Sequence, residues 1–386
     1  MSETAPARTY YPALDGLRAV AFLLVFGQHY YAVPWGWSGV NVFFVLSGFL
    51  ITGVLVDGRD EPRRARNFYL RRALRIFPLY FGTALLLLLL WPAMHWQWSA
   101  WWLAWPFYLG NALRYVSPQV WANDSPLQLA ANLWLRSPLL PHVTFYLGHF
   151  WSLCVEEQFY LLWPWVVFRV RSVRALAWIC GLAVLLLPLL RVLTQASAPA
   201  WMLRGNLLYC TLPFQLDALL LGGLVALLWR FLPQEKVLRP AKLTAGVAAV
   251  VTAVYLALTL HPSKLYWREH YHYAGWQFTW GLSFIDLFAA ALIVCCLRPE
   301  TRVARALGLR PLRWLGRISY GAYVFHDVFH GVLENVINTL GARHAFFMHH
   351  GDKLLFLAGL VLTLVLASLS YRYFETPFLR LKSRFH

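Results

Sequence analysis

Apolar residues along this chain come in runs of about 20, separated by short polar or basic stretches. That is the length a helix needs to cross the hydrocarbon core of a bilayer. Ten runs qualify: 13–33, 37–56, 76–93, 149–168, 175–194, 213–231, 243–260, 277–297, 318–337 and 353–374. A further stretch, 99–116, is aromatic and short and carries Pro106, Asn111 and Arg114, which predicts an interfacial or re-entrant segment. The expected architecture is all-α: a polytopic membrane bundle of about ten helices, with residues 1–386 forming one transmembrane domain. No internal repeat or low-complexity tract divides it.

Composition agrees with the pattern. Apolar residues make up 59% of the chain and charged residues 13%. Soluble domains run near 45–50% and ~25%. Disorder, a collagen-like chain and a disulfide scaffold are excluded. The five cysteines, Cys154, Cys180, Cys210, Cys295 and Cys296, have no metal-ligand spacing and read as small apolar packers. The first residues, MSETAPARTYYPA, lack a cleavable signal pattern, so the first apolar run is expected to remain as a membrane helix.

The net charge of +17 would suggest nucleic acid in a soluble protein, but position along the chain argues otherwise. With 99–116 not spanning and the N-terminus inside, inner loops hold 25 basic residues and outer loops 7. Cytoplasmic loops of membrane proteins carry such an excess. Counting 99–116 as a span would move the basic loops 169–174 and 298–317 outside. Both termini are therefore expected in the cytoplasm, with a lipid bilayer rather than nucleic acid as the environment.

Ionisable residues inside spans are costly and mark candidate sites. The first span carries Asp15, Arg18 and His29. Arg18 and His29 are eleven residues apart, about 20° past three turns, so they share a helix face ~16 Å apart along the axis. Arg18 alone reads as a snorkelling anchor, and His29 alone as a hydrogen-bonded structural histidine. Together they place a cation near one membrane face and a titratable base deeper in.

In the second span, Asn41, Ser47, Gly48 and Thr52 interrupt the apolar run, and small residues there suit close helix packing. Arg72 and Arg75 lie three apart at a helix start and can present two guanidiniums to one anion. Ser152, Glu156 and Tyr160 fall at i, i+4 and i+8 of the fourth span, with Glu157 directed elsewhere. Ser319, Tyr323, His326 and His330 recur at helical spacing in the ninth, with Asp327 beside His326 as polar packing. Asp217 and Asp286 are single interior acids suited to helix–helix hydrogen bonds.

The outer loops hold Trp96, Trp98, Trp101, Trp102 and Trp121, which suit an interfacial aromatic belt or stacking on sugar rings. His270, His272, His344, His349 and His350 lie in or near those loops without metal-ligand spacing, so no metal is expected.

In order along the chain, these segments resemble the acyltransferase-3 family of integral membrane acyltransferases. Arg18 and His29, within LDGLRAVAFLLVFGQH, match that family's Arg, ten residues, His pattern, and GVNVFFVLSGFLIT follows. Arg72 and Arg75 match its Arg-x-x-Arg motif, and WSLCVEEQFY, with Trp151, Ser152 and Tyr160, places the family glutamate on Glu156. Gly316, Ser319, Tyr320, Tyr323 and His326 match Gly-x-x-Ser-Tyr-x-x-Tyr-x-x-His, with Phe325 in place of the familiar leucine. SYRYFETP at 370–377 matches the closing motif.

The resemblance implies transfer of an acyl group, usually acetyl, from cytoplasmic acyl-CoA to a hydroxyl of a glycan, glycolipid or other exported acceptor. It also implies a bacterial inner membrane and, at this length, a stand-alone form without a fused extracytoplasmic domain. Arg18, Arg72 and Arg75 would meet the donor phosphates. His29 would act as general base or transient acyl carrier. Glu156 would orient His29 or shuttle its proton, and His326 would bind the acceptor or the thioester oxygen. Asp15, Asn41, Ser47, Trp151, Ser152, Tyr160, Ser319, Tyr320 and Tyr323 would position these groups. A transporter or flippase for a lipid-linked sugar or acyl compound is the alternative, since buried charges also mark transport paths. The missing inverted repeat counts against it.

Overall fold

The computed structural model of the chain describes residues 10–385 apart from 34, 95–98, 122–125, 133, 137–143, 205 and 260–274. Trp96, Trp98, His270 and His272 of the predicted outer loops fall outside the described residues.

The architecture is a membrane helix bundle. In chain order its helices are α1 Pro12–Tyr31, α2 Ser38–Asp57, α3 Arg64–Met94, α4 Pro126–Asn132, α5 Trp151–Arg169, α6 Val173–Ser197, α7 Ala200–Arg204, α8 Leu207–Cys210, α9 Leu212–Phe231 and α10 Gln234–Thr259. There follow α11 Trp280–Cys296, α12 Arg302–Leu307, α13 Arg310–Phe325, α14 His330–Gly341, α15 Ala345–Leu369 and α16 Thr376–Leu381. Six described helices are long and apolar enough to cross a membrane: Ser38–Asp57, Arg64–Ala93, Val173–Ser197, Leu212–Phe231, Gln234–Val254 and Ala345–Arg384. The last of these runs through a π-turn at Ser370–Glu375. The C-terminal half of α3 exposes Leu85, Leu86, Leu88 and Leu89, a face suited to lipid chains and not to water.

Helix occupies all ten predicted segments, with two departures that matter for the site. The third begins at Arg64 rather than at 76, so Arg71, Arg72 and Arg75 stand on a continuous helix. The ninth is not continuous: α13 stops at Phe325 and α14 begins at His330, leaving His326 and Asp327 in the break. Segment 99–116 forms short 3-10 turns at Ala100–Ala104 and Gly110–Tyr115, with no spanning helix. A two-stranded antiparallel pair, β1 Trp134–Arg136 with β2 Thr144–Tyr146, lies just before α5, with Leu135 opposite Phe145.

Two small residues bring α2 and α9 close. A Cβ on Gly48 would stand 1.8 Å from the Leu219 carbonyl oxygen, and one on Gly222 would stand 2.0 Å from that of Val45. Only glycine allows that approach, as the sequence suggested for Gly48.

Buried polar links fix the neighbouring helices. Asn41 donates to Gln215 Oε1 at 3.1 Å and to Asp286 Oδ1 at 2.9 Å, tying α2 to α9 and α11. Arg191 of α6 uses all five of its N–H groups. It donates to both oxygens of Asp217 at 2.8 and 2.7 Å, to the Thr279 and Phe214 carbonyls and to Ser283 Oγ. Asp217 is thus half of a buried ion pair, beyond the simple helix–helix hydrogen bond expected of it. Such a pair persists in low dielectric only when its remaining donors are satisfied, and these are.

Candidate active site

Arg72 and Arg75 sit on the same face of α3 because they are three apart on a helix. With Arg18 of α1 and Arg71 they line a cavity of about 360 Å³, to which α5 contributes Ser152, Glu156, Glu157 and Tyr160, and α13 contributes Ser319, Tyr320 and Tyr323. Arg18 Nε donates to Ser319 Oγ at 3.2 Å. The Arg72 guanidinium lies 4.1 Å from the Tyr160 ring centroid, and Tyr160 hydrogen-bonds Ser47. Tyr320 donates to the Ile76 carbonyl at 2.8 Å. Among the described residues, Arg18, Arg72 and Arg75 have no carboxylate within ion-pairing distance. Guanidiniums around a cavity without an ion-paired carboxylate are suited to meeting an anion.

Glu157 was expected to point elsewhere, yet it lines this arginine cavity beside Glu156. Adjacent helical residues are only about 100° apart, so a broad cavity collects both. Arg18 and Arg75 also border a second space of about 480 Å³ with Asp15, Tyr10, Arg317, Tyr371 and Leu379, where Tyr10 donates to Asp15 at 2.6 Å.

His29 does not open on the arginine cavity. It lines a separate one of about 380 Å³ with Gln28, Trp37, Arg114, His149, Trp151, Tyr209 and Asp327. The two spaces share Val40 and Tyr323 as lining. The dividing wall is hydrogen-bonded: Tyr323 Oη lies 2.6 Å from Ser152 Oγ and 3.2 Å from the His149 carbonyl, which also accepts from Ser152 at 3.1 Å. Arg18 and His29 share a face of one helix, as the eleven-residue spacing predicts, but they serve opposite sides of this wall.

The histidine cavity carries its own proton arithmetic. His326 Nδ1 lies 2.6 Å from the Tyr323 carbonyl, an oxygen that can only accept, so Nδ1 bears the hydrogen. His326 Nε2 is then an acceptor for His29 Nδ1 at 3.1 Å. His29 Nδ1 also lies 3.0 Å from the Val25 carbonyl, which likewise requires a hydrogen on that nitrogen. Both partners assign the same tautomer, and Nε2 of neutral His29 keeps its lone pair. Tyr30 donates to the His326 carbonyl at 2.7 Å and stacks on Phe26 and His330, which fixes the break between α13 and α14.

Two sequence expectations change here. His326 is fully buried, lines neither of these two cavities and has both ring nitrogens engaged, Nε2 with His29, so the structure places it behind His29 rather than at a cavity surface. Glu156 faces the arginines because the 152/156/160 face of α5 turns that way; the carboxylate sharing the cavity with His29 is Asp327. Asp327 Oδ1 lies 3.3 Å from His330 Nδ1 and Oδ2 lies 3.7 Å from His149 Nδ1. His149 was missed. Its ring meets that of His326 edge-on with centroids 4.6 Å apart, and its only signal in the sequence is a histidine at the edge of the fourth apolar run.

Among the described residues, the aromatics lining the histidine cavity are Trp37, Trp151, Tyr146, Tyr209 and Tyr323, while Trp102 borders an apolar cavity with Trp105 and Tyr80. Asn41 lines neither space and belongs to the interhelical network. All five cysteines are buried and free. Among the described residues, no group of three or more His, Cys, Asp or Glu has the geometry to hold a metal ion.

Comparison with known proteins places this geometry in context. A family model for an acyltransferase domain matches residues 11–372. A Bacillus subtilis protein described as a candidate peptidoglycan O-acetyltransferase is 30% identical over 95% of this chain and 55% of its own length. A peptidoglycan O-acetyltransferase of Listeria monocytogenes is 26% identical over 97% of this chain and 56% of its own. The chain spans about half the length of the curated relatives it matches. No solved structure matches it.

Proposed function

Since the chain belongs to the acyltransferase-3 family, we propose that it is a membrane O-acyltransferase moving an acyl group, acetyl by preference, from acyl-CoA to a hydroxyl of a glycan or other exported acceptor. The observation that carries this reading is the pairing of two cavities across one wall: unpaired arginines on one side, a histidine with a free Nε2 on the other. The relatives named as peptidoglycan O-acetyltransferases support a glycan acceptor.

In this reading the arginine cavity faces the cytoplasm, along with both termini, in a bacterial plasma membrane. The excess of basic residues on that side supports the orientation. Arg18, Arg72 and Arg75 receive the phosphates of acyl-CoA, and the narrow pantetheine arm extends towards Tyr323 and Ser152. The acceptor enters the histidine cavity, where Trp37, Trp151 and Tyr209 offer rings to a sugar face.

The wall yields, and the thioester carbonyl meets the acceptor oxygen beside His29. His29 Nε2 takes the hydroxyl proton as the oxygen attacks the carbonyl. The carbon–sulfur bond breaks, and the CoA thiolate leaves and regains a proton. As His29 becomes cationic, its Nδ1–H bond to His326 becomes charge-assisted, and Asp327 lies in the same cavity as a counter-charge.

The test is purified protein in lipid nanodiscs with acetyl-CoA labelled in the acetyl group and a glycan acceptor. Label appearing on the acceptor with release of free CoA supports the enzyme. In sealed vesicles, movement of unmodified substrate without loss of label from CoA would favour a transporter.

A further inference from the structure

The arginine cavity has one more cation, brought from a distant part of the chain. After α15 the backbone passes through the π-turn Ser370–Glu375, then α16 and a 3-10 turn at Lys382–Arg384. This segment is packed in place. Ser370 donates to Glu375 Oε1 at 3.1 Å, and Thr376 donates to the Tyr371 carbonyl at 2.5 Å. The Phe374 ring sits 3.0 Å from where a Cβ on Gly82 of α3 would be, and the Glu375 carboxylate lies at the same distance from such an atom on Gly321 of α13. Clamped between α3 and α13, the segment places Lys382 on the cavity wall with Arg18, Arg71, Arg72 and Arg75.

Among the described residues, five cations then face a cavity whose acidic lining residues are Glu156 and Glu157, with Glu375 also acting on Arg75, Arg18 and Lys382. Lys382 has no carboxylate within ion-pairing distance among the described residues. It stands near the C-terminal end of the apolar helix Ala345–Arg384. The cations outnumber these carboxylates, and a polyanion balances the excess. Acyl-CoA carries about four negative charges, in a diphosphate and a ribose phosphomonoester. Arg72 and Arg75, forked and three apart, suit the diphosphate. A lysine is a compact point charge suited to a dianionic monoester.

Resting on the donor reading above, we propose that Lys382 forms a second anion subsite that recognises the ribose phosphomonoester of acyl-CoA.

The experiment is calorimetric titration of the whole protein in nanodiscs with CoA and with dephospho-CoA, for wild type, Lys382→Met and Lys382→Arg. Met keeps the apolar stem, so packing is conserved. Wild type should prefer CoA by about tenfold or more, the scale of one lost charge-assisted hydrogen bond. Lys382→Met should erase that preference while binding dephospho-CoA like wild type, and Lys382→Arg should restore the preference. Equal wild-type binding of both ligands, or full preference in Lys382→Met, overturns the subsite and leaves the donor reading standing. Failure of wild type to bind either ligand overturns the donor reading and the subsite with it.

Discussion

The wall between the two cavities makes a quantitative prediction. Tyr323→Phe keeps the ring but removes the hydroxyl, and with it the 2.6 Å bond to Ser152 and the 3.2 Å contact with the His149 carbonyl. One neutral hydrogen bond in a protein interior has a net value of about 0.5–1.5 kcal/mol. If the thioester must pass this point, the open wall becomes more populated by roughly 2- to 12-fold. Single-turnover acetyl transfer in nanodiscs should therefore hold or rise within that range. Ser152→Ala should do less, because Tyr323 keeps the His149 carbonyl as a partner. The double variant should fall short of the sum, since the residues share one bond. A loss of about 100-fold or more in Tyr323→Phe would place it in the range of a group that transfers protons in the reaction, and would refute the reasoning. Additivity in the double variant would refute it as well.

Two further outcomes follow from the geometry. Arg75→Ala should raise the KM for acetyl-CoA by about 10- to 100-fold with kcat little changed, the effect of losing a charge-assisted contact to phosphate; steady-state kinetics over donor concentration measures it. Arg191→Ala strands the Asp217 carboxylate in the bundle and should cost about 3–5 kcal/mol of stability, read as a fall in thermal unfolding temperature in detergent, with no selective effect on donor binding.

Much of the fold was legible in the chain, because apolar length and basic loops are local signals. So were the arginine pair on α3 and the shared face of Arg18 and His29, since helical spacing determines which residues point together. What spacing on one helix does not reveal is which helix arrives opposite. Glu156 sits on the predicted face of α5, but that face meets α3 and not His29. The break at His326–Phe329 lies within an apolar run that looked continuous, and it is what turns His326 towards His29. His149 and Lys382 lie far in sequence from the residues they join, and only the packing of α5 and α16 brings them in.

The most direct test of the central claim is His29→Gln, assayed for acetyl transfer and for CoA binding in the same nanodisc preparation. His29 lines the cavity across the wall from the arginines proposed to hold the donor, so CoA affinity should match wild type. Transfer should fall by about 10²- to 10⁴-fold, the scale of a lost general base. Transfer within a few-fold of wild type, with normal CoA binding, would contradict the assignment of His29 as the base.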